Sequence, residues 1–252
     1  MPNPEAANLY GTLQWFEQAY AKVPADPWGL TWRPSQQLRY QKVLSILDPL
    51  LDPSEKPLAH VMDVGCATGD FTYLISRHVP GLQTLLGVDF VDSAVERARR
   101  RFPHLTFSNE SLLALGDKYP ERFELITCLE VIYYVPSTRR VEALRSLRRA
   151  LRPGGYAVFS SMISSPPYFS PRQFLDLVGC EFEIVSSDVL HLRMISLLEK
   201  IGDRLAKLLP DRIRTYKFCR LPFRAVVALE CWSRGLKALA ASHTIVLVRA
   251  RP

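Results

Sequence analysis

Apolar and polar positions alternate in blocks along residues 57–190. Short apolar runs of strand character recur, separated by amphipathic stretches such as Asp92–Phe102 and Val141–Leu151, whose apolar positions repeat at helical spacing. The predicted strands are Ala59–Val64, Thr84–Val88, Leu105–Phe107, Phe123–Leu129, Tyr156–Ser160, Phe182–Val185 and Thr244–Val248. This alternation predicts an α/β fold of the doubly wound, Rossmann-like type, with a mostly parallel sheet and helices on both faces.

Helical patterns flank this region on both sides. Residues 1–50 predict an N-terminal helical cover, interrupted by a loop between Pro24 and Pro34, with Leu9, Leu13, Phe16 and Tyr20 at helical spacing. Residues 191–240 predict a helical insertion with two apolar stripes: Met194, Leu197, Leu198, Ile201, Leu205 and Leu208, then Phe223, Val226, Val227, Trp232 and Leu236. The expected organisation is a cover or lid at 1–50, a core at 51–190, the insertion at 191–240 and a final core strand at 241–252.

The first predicted strand ends in a glycine-containing turn. Asp63–Gly69 has the spacing D-x-G-x-A-x-G, and Asp89 follows Gly69 by 20 residues at the end of the next strand. Glycines let the backbone approach a ligand, and a carboxylate at the next strand end can accept hydrogen bonds from both hydroxyls of a ribose. An acid before the first glycine disfavours a pyrophosphate. The pattern therefore indicates S-adenosylmethionine (SAM), which has a ribose and two cationic groups and no phosphate.

Four landmarks in order over Leu58–Ser160 resemble those of class I SAM-dependent methyltransferases. Asp63–Gly69 resembles the first motif, Asp89 the ribose-binding acid, Phe123–Val135 the fourth-strand motif and Leu151–Gly155 the turn before the fifth strand. The resemblance implies SAM as cofactor and a seven-stranded sheet whose last strand is antiparallel. Ala67 replaces a frequent middle glycine, and we expect it to have φ < 0.

Two further segments resemble the NodS-like subfamily of these methyltransferases. They are Ala25–Gly29 followed by Arg39-Tyr40, and Glu130–Tyr134 after the fourth strand. The chain departs at Ser35-Gln36, where the subfamily often has an aromatic residue followed by an acid. The resemblance implies N-methylation of an amine on a small molecule or sugar.

Candidate site residues follow from these motifs. The expected cofactor-binding residues are Trp28, Arg39, Tyr40, Asp63, Gly65, Cys66, Ala67, Gly69, Asp89, Phe90, Asn109, Glu110, Ser111 and Leu129. Within this set Asp89 is assigned to the ribose, and Glu110 and its neighbours to the adenine. Arg39 and Tyr40 are candidates for the cofactor carboxylate, with an exposed arginine as the alternative. Asp63 either holds the ammonium or caps the turn, and Trp28 either covers the cofactor or anchors the first helix.

The expected catalytic residues follow the fourth strand, at the carboxyl edge where α/β sheets bind ligands. They are Glu130, Tyr133 and Tyr134. The tyrosine hydroxyls could orient an amine, and their rings could stabilise a cationic methyl or ammonium group. Packing of both rings at a helix start is the alternative.

Charge and composition narrow the partners. The chain has a net charge of +7, whereas residues 191–252 carry 13 Lys and Arg against 4 Asp and Glu, so the basic character belongs to the insertion and tail. An acidic small molecule, an acidic carrier protein or a solvated surface fits this charge, and nucleic acid is the least favoured partner. The insertion could close as a lid, pack on the sheet or on a second subunit as a homodimer, or lie on a membrane surface.

The remaining features predict a cytoplasmic enzyme. No run of 18 uncharged apolar residues and no secretory signal occurs in the sequence, and the five cysteines form no C-x-x-C pair, so reduced thiols and no metal are expected. Two rivals to methyl transfer stay open. One is an enzyme that cyclises SAM or transfers its aminocarboxypropyl group, releasing methylthioadenosine. The other is a non-catalytic SAM-binding partner protein.

Overall fold

A seven-stranded sheet forms the centre of the computed structural model, which describes residues 10–22, 26–52, 57–207, 223–235 and 240–251. The strand order is β3-β2-β1-β4-β5-β7-β6. The strands are β1 (His60–Val64), β2 (Thr84–Asp89), β3 (Thr106–Asn109), β4 (Phe123–Leu129), β5 (Leu151–Met162), β6 (Phe182–Leu190) and β7 (His243–Ala250). β1 to β5 pair in parallel, and β7 is antiparallel to both β5 and β6. The predicted fold class, including the antiparallel last strand, is confirmed.

Helices cover both faces of the sheet. Those in the described ranges are α1 (Leu13–Lys22), α2 (Pro34–Leu47), α3 (Asp70–His78), α4 (Asp92–Arg101), α5 (Leu115–Lys118), α6 (Arg140–Ala150), α7 (Pro171–Gly179), α8 (Arg193–Lys207) and α9 (Phe223–Ser233). Their termini follow from local chemistry. For example, α4 starts with an acid and ends with three arginines, which complements the helix dipole at each end.

Successive residues of the central strands enter two different apolar cores. Met62 and Ile126 pack in one core with residues of α6 and α7, while Val61 and Leu125 pack in the other with residues of α2 and α3. A strand that alternates between two buried faces belongs to a sheet covered on both sides. The doubly wound arrangement is therefore built on the near-continuous apolar runs of the central strands.

The fifth and sixth strands are longer than predicted. Leu151 pairs with Phe123 and Tyr156 with Leu125, so β5 advances five residues while β4 advances two. The Arg152–Gly155 segment, expected as a turn before the strand, is thus accommodated inside β5 as an irregularity, with Gly154 at φ +74°. β6 runs to Leu190 because it pairs along the full length of β7.

The insertion helices pack on the same core as α2. Leu192, Ile195 and Val226 are fully buried beside α2 residues. The predicted first stripe faces the other way, since Leu197, Leu198 and Ile201 are 41–50% exposed. The inward positions of α8 are Ile195 and Glu199, which leaves this stripe on the outer face of the helix. Ala25, Leu9, Leu208 and Leu236, and the side chains of Leu205 and Phe223, lie outside what the structure describes.

Candidate cofactor and acceptor site

A cavity of about 430 Å³ opens at the carboxyl edge of β1, β2 and β4, beneath α1 and α2. Its volume falls in the range of small-molecule sites. The sequence-predicted residues that line it are Trp28, Arg39, Tyr40, Asp63, Gly65, Cys66, Ala67, Asp89, Phe90, Glu110, Leu129, Glu130, Tyr133 and Tyr134. Gly69, Asn109 and Ser111 do not line it.

The turn after β1 wraps its backbone around the end of β2. The N–H groups of Gly65 and Cys66 donate to the carbonyl oxygen of Val88 at 2.8 Å and 3.0 Å. Gly65 has φ +74°, and a Cβ there would collide with Val131 Cγ2. Only glycine meets both conditions at this position.

Ala67 has a left-handed backbone, with φ +49°. The expectation of φ < 0 is therefore wrong. The cause is a tertiary contact, because the Ala67 N–H donates to Asp89 Oδ2 at 2.9 Å. This bond offsets a conformation that costs an L-residue about 1–2 kcal/mol.

Gly69 contributes to packing and does not line the cavity. It precedes α3 with φ +84°, and a Cβ there would lie 2.8 Å from the Phe107 ring. Cys66, at the other end of the turn, is buried against Val95, Ala98 and Phe107, and burial raises the pKa of its thiol.

Asp89 presents its carboxylate at the end of β2. Oδ1 accepts from the Val91 N–H at 3.0 Å, and Oδ2 accepts from Ala67 as described above. Each oxygen keeps a second lone pair for a ligand hydroxyl. Burial raises the pKa of Asp89 to about 6, against the lowering effect of these backbone hydrogen bonds.

Asp63 connects β1 to α3 and β4 by hydrogen bonds at the base of the cavity. Its two oxygens accept from Thr72 Oγ1 at 2.6 Å and from Thr127 Oγ1 at 2.7 Å. Burial raises the pKa of Asp63 to about 6, and the two threonine bonds oppose the rise. Asp63 thus holds β1 to α3 and β4 while also lining the cavity.

Glu110 is positioned by its own neighbours in the chain. Its Oε1 accepts from Ser108 Oγ at 2.7 Å and pairs with Lys118. Burial raises the pKa of Glu110, but the hydrogen bonds from Lys118 and Ser108 outweigh it and lower the pKa below its ordinary value. Asn109 ends β3 on the exposed side, and the Ser111 hydroxyl accepts from the Leu113 N–H at 3.4 Å at a helix start. Leu112, which sequence reasoning missed, lines the cavity in their place.

A buried ionic cluster lies where β4 ends. Glu130 has φ +60°, and its carboxylate accepts from Ser160 Oγ at 2.7 Å and Tyr133 Oη at 3.2 Å. Arg39 Nη1 lies 3.5 Å from Glu130 Oε1, and its guanidinium stands over the Tyr40 ring. Within the described residues the buried Nε of Arg39 has no hydrogen-bond partner. A ligand anion would satisfy it.

His243 completes this cluster and was not predicted. Its Nδ1 lies 2.9 Å from Ser242 Oγ and its Nε2 lies 3.9 Å from Glu130 Oε2. Burial lowers the pKa of His243 to about 4, with a contribution from Arg39, so the ring is neutral at pH 7. The sequence held one signal for His243. It is the first residue of the antiparallel strand β7, and such a residue lies at the edge of the sheet where the parallel strands end.

Aromatic rings form the upper wall of the cavity. The ring centroid of Tyr134 lies 4.9 Å from that of Phe16 and 5.5 Å from that of Tyr10. The Tyr10 and Tyr168 hydroxyls are 2.9 Å apart. Trp28 donates to Tyr20 Oη at 3.2 Å. The packing roles considered for Trp28, Tyr133 and Tyr134 are therefore observed, and all three also line the cavity.

Three further predicted residues lie around these groups. Phe90 packs edge to face on Phe16 at 5.3 Å, Tyr40 stacks on Phe71 at 4.7 Å, and Leu129 is the last residue of β4. Tyr10 lies just before α1, Trp15 lies in α1 and Tyr168 lies in a distant loop, so all three were missed.

Comparison with known proteins identifies the core of the chain. Residues 61–155 match the family model described as a methyltransferase domain. Nodulation protein S of Rhizobium tropici is 34% identical over 140 residues, which cover 54% of this chain and 55% of that protein. The chain carries a methyltransferase domain.

Two further relatives bear on this methyltransferase domain. The ubiquinone biosynthesis O-methyltransferase of Albidiferax ferrireducens is 31% identical over 127 residues, covering 48% of this chain and 47% of that protein. The chain thus spans about half the length of these curated relatives. The crystal structure of N-methyltransferase NodS from Bradyrhizobium japonicum WM9 with S-adenosyl-L-homocysteine matches the fold with a TM-score of 0.64 at 18% identity, covering 96% of this chain and 100% of that one.

The cofactor of a methyltransferase domain of this kind is SAM. The cavity residues fit it in charge and hydrogen bonding. Asp89 has free lone pairs at the end of β2, and the unpartnered Arg39 Nε points to an anionic group such as a carboxylate. No group of three or more His, Cys, Asp or Glu side chains that could hold a metal occurs in the described part of the chain. None of the described helices is long and apolar enough to cross a bilayer.

Proposed function

We propose that the protein transfers a methyl group from SAM to the nitrogen of a small-molecule amine. The observation that carries the proposal is that one cavity is lined both by the Asp89 carboxyl group at the end of β2 and by aromatic rings that include Tyr134. Matches to Nodulation protein S and to a structure described as an N-methyltransferase favour nitrogen over oxygen as the acceptor atom.

The residues assigned to the cofactor come from β1, β2, β4, α2 and the segment after β3. We assign Asp89 to the ribose hydroxyls, and Glu110 with Leu112 to the adenine. Arg39 is assigned to the carboxylate, and Asp63 with Leu129 to the ammonium. The assignments follow the order of these residues along the carboxyl edge of the sheet.

The aromatic end suits an amine that gains positive charge. When bound, SAM supplies a methyl group already activated on a sulfonium. The protein's task is then to align the acceptor, exclude water and remove one proton. Tyr134 and Tyr10 offer ring faces to a developing ammonium. Trp15 and Phe16 of α1 line this end of the cavity.

Glu130 and His243 are proposed to contact the acceptor nitrogen. Because His243 is neutral at pH 7, it acts as a hydrogen-bond partner and carries no charge there. Glu130, whose carboxyl group is held by Ser160 and Tyr133, stabilises the cationic product and offers a route for the released proton. Tyr133 acts mainly by fixing the Glu130 carboxylate.

The surroundings support finer proposals on partners. Glu199 and Glu230 of the insertion are buried, while Lys200, Arg204 and Arg224 are exposed, which favours an acidic or carrier-bound acceptor. The exposed Leu197, Leu198 and Ile201 favour a second copy on the same face, and the described free thiols favour a reducing, cytoplasmic location. Nucleic acid remains the least favoured partner. We keep the proposed division into cover, core, insertion and final strand.

Product analysis tests the proposal. Purified protein is incubated with SAM alone and then with pooled amine metabolites, and products are read by mass spectrometry. S-Adenosylhomocysteine formed only with an acceptor, together with an N-methyl fragment ion, supports the proposal. An O-methyl product would overturn the choice of nitrogen. Methylthioadenosine formed without acceptor would overturn methyl transfer itself, and failure to bind SAM would overturn the cofactor assignment.

A further inference from the structure

Helix α2 begins without a cap of its own. It carries Arg39 and Tyr40 of the cavity wall, yet the preceding residue, Arg33, makes no side-chain cap and the first turn has no acid. The first N–H groups of a helix lack partners inside the helix, and its N-terminus attracts negative charge. The cap of this helix must therefore come from elsewhere in the fold.

The cap comes from the insertion. Glu199 of α8 accepts from the Ser35 N–H at 2.8 Å with Oε1 and from Ser35 Oγ at 2.7 Å with Oε2. Ser35 and Glu199 are only 8% and 7% exposed. A buried carboxylate is tolerated when it is well hydrogen-bonded, and here the positive end of α2 adds to the two bonds.

The capped residue lies one helical turn before Arg39. Residues four apart are neighbours on the same side of a helix, so Glu199 anchors α2 next to Arg39.

We propose that Glu199 is a positioning residue, which caps α2 from the insertion and thereby holds Arg39 in place for the carboxylate of the cofactor. The inference rests on the proposed function for the assignment of Arg39. It makes the insertion a part of the cofactor site and not only a cover or an oligomer surface.

The fold should survive loss of this cap. Tyr40, Val43 and Leu47 of α2 already pack against Leu192 and Ile195 in one apolar core. Removing the Glu199 carboxylate is expected to loosen the first turn of α2 while this core holds the rest of the helix.

A double-mutant cycle tests the inference. Binding of S-adenosylhomocysteine is measured by calorimetry for wild type, Glu199→Ala, Arg39→Ala and the double variant, with melting temperatures for each. Glu199→Ala should weaken binding about tenfold, the cost of misplacing one charged hydrogen bond. The double variant should bind no more weakly than Arg39→Ala, because Glu199 acts through Arg39. Glu199→Gln, which keeps one acceptor oxygen, should recover part of the loss.

Matched controls separate the outcomes. Glu183→Ala removes an exposed glutamate of β6 and should bind as wild type. If Glu199→Ala does not fold, Ser35→Ala replaces it in the same cycle. Losses that add in the double variant, or a folded Glu199→Ala with wild-type affinity, overturn the inference while leaving the proposed function in place. Wild-type protein that fails to bind S-adenosylhomocysteine overturns the proposed function instead.

Discussion

Replacing Asp89 by alanine should weaken cofactor binding by about 1.5–3 kcal/mol, a factor of about 10–150 in Kd. The magnitude follows from the geometry. Oδ1 and Oδ2 each accept one backbone N–H, from Val91 at 3.0 Å and from Ala67 at 2.9 Å, and each keeps one lone pair for a ribose hydroxyl. Two hydroxyls bound to one ionised carboxylate are strong hydrogen bonds, partly offset by the water that the free carboxylate would otherwise hold.

The assay must separate ribose binding from support of the turn, because alanine removes both. Calorimetric titration with S-adenosylhomocysteine and with its 2′,3′-dideoxy analogue does so. Wild type should bind the analogue more weakly than the natural compound. Asp89→Ala should bind the two ligands alike, since the carboxylate that distinguishes them is gone.

An exposed carboxylate close by provides the control. Asp92→Ala, at the first position of α4, should leave both affinities at their wild-type values. If Asp89→Ala binds S-adenosylhomocysteine as wild type does, or still discriminates between the two ligands, the ribose assignment is wrong.

Four other changes probe the site. Burial raises the pKa of Asp63 and Asp89 from 3.8 to about 6, so the stability that each contributes is full below pH 3.8 and is lost as the pH rises through 6. The free energies of unfolding of wild type and Asp89→Asn are compared from pH 4 to 7, and the difference in favour of wild type should decline as the pH rises. A difference that grows would contradict the raised pKa. Tyr134→Phe should leave S-adenosylhomocysteine affinity unchanged and lower kcat, whereas an unchanged kcat would leave Tyr134 with packing alone. His243→Asn should lower kcat/KM for the acceptor by about tenfold, the value of one hydrogen bond, with cofactor affinity intact. Because burial lowers the pKa of His243 to about 4, a wild-type rate transition near pH 6.5 that disappears in this variant would refute the lowered pKa. Ala67→Gly should raise the free energy of unfolding by about 0.5–1 kcal/mol, since glycine adopts φ +49° without strain, and a lower value by urea denaturation would contradict this.

The central sheet and the acids at its edge could be predicted because they depend on local pattern. β4 runs from Phe123 to Leu129 as expected, and β1 differs by one residue. A parallel strand buried on both faces is a continuous apolar run, so its limits are written in the sequence itself. Asp89 follows such a run, and its place at the carboxyl edge needs only the order of the strands.

The acceptor end of the cavity could not be predicted in the same way. Tyr10 reaches Tyr168 across 158 residues, and Glu199 reaches Ser35 across 164. No periodicity within either segment indicates its partner. The inward face of α8 could not be predicted for the same reason, since only packing on α2 shows that Ile195 and Glu199 are the inward positions.

The sequence by itself determined the α/β core, the glycine turn and the acids Asp63 and Asp89, because each depends on residues close together in the chain. Only the tertiary structure decided that Ala67 takes a left-handed backbone, that His243 joins Glu130 and Arg39, and that the insertion caps α2. These features rest on hydrogen bonds and burial between segments far apart in sequence, and such contacts exist only once the sheet has brought the segments together.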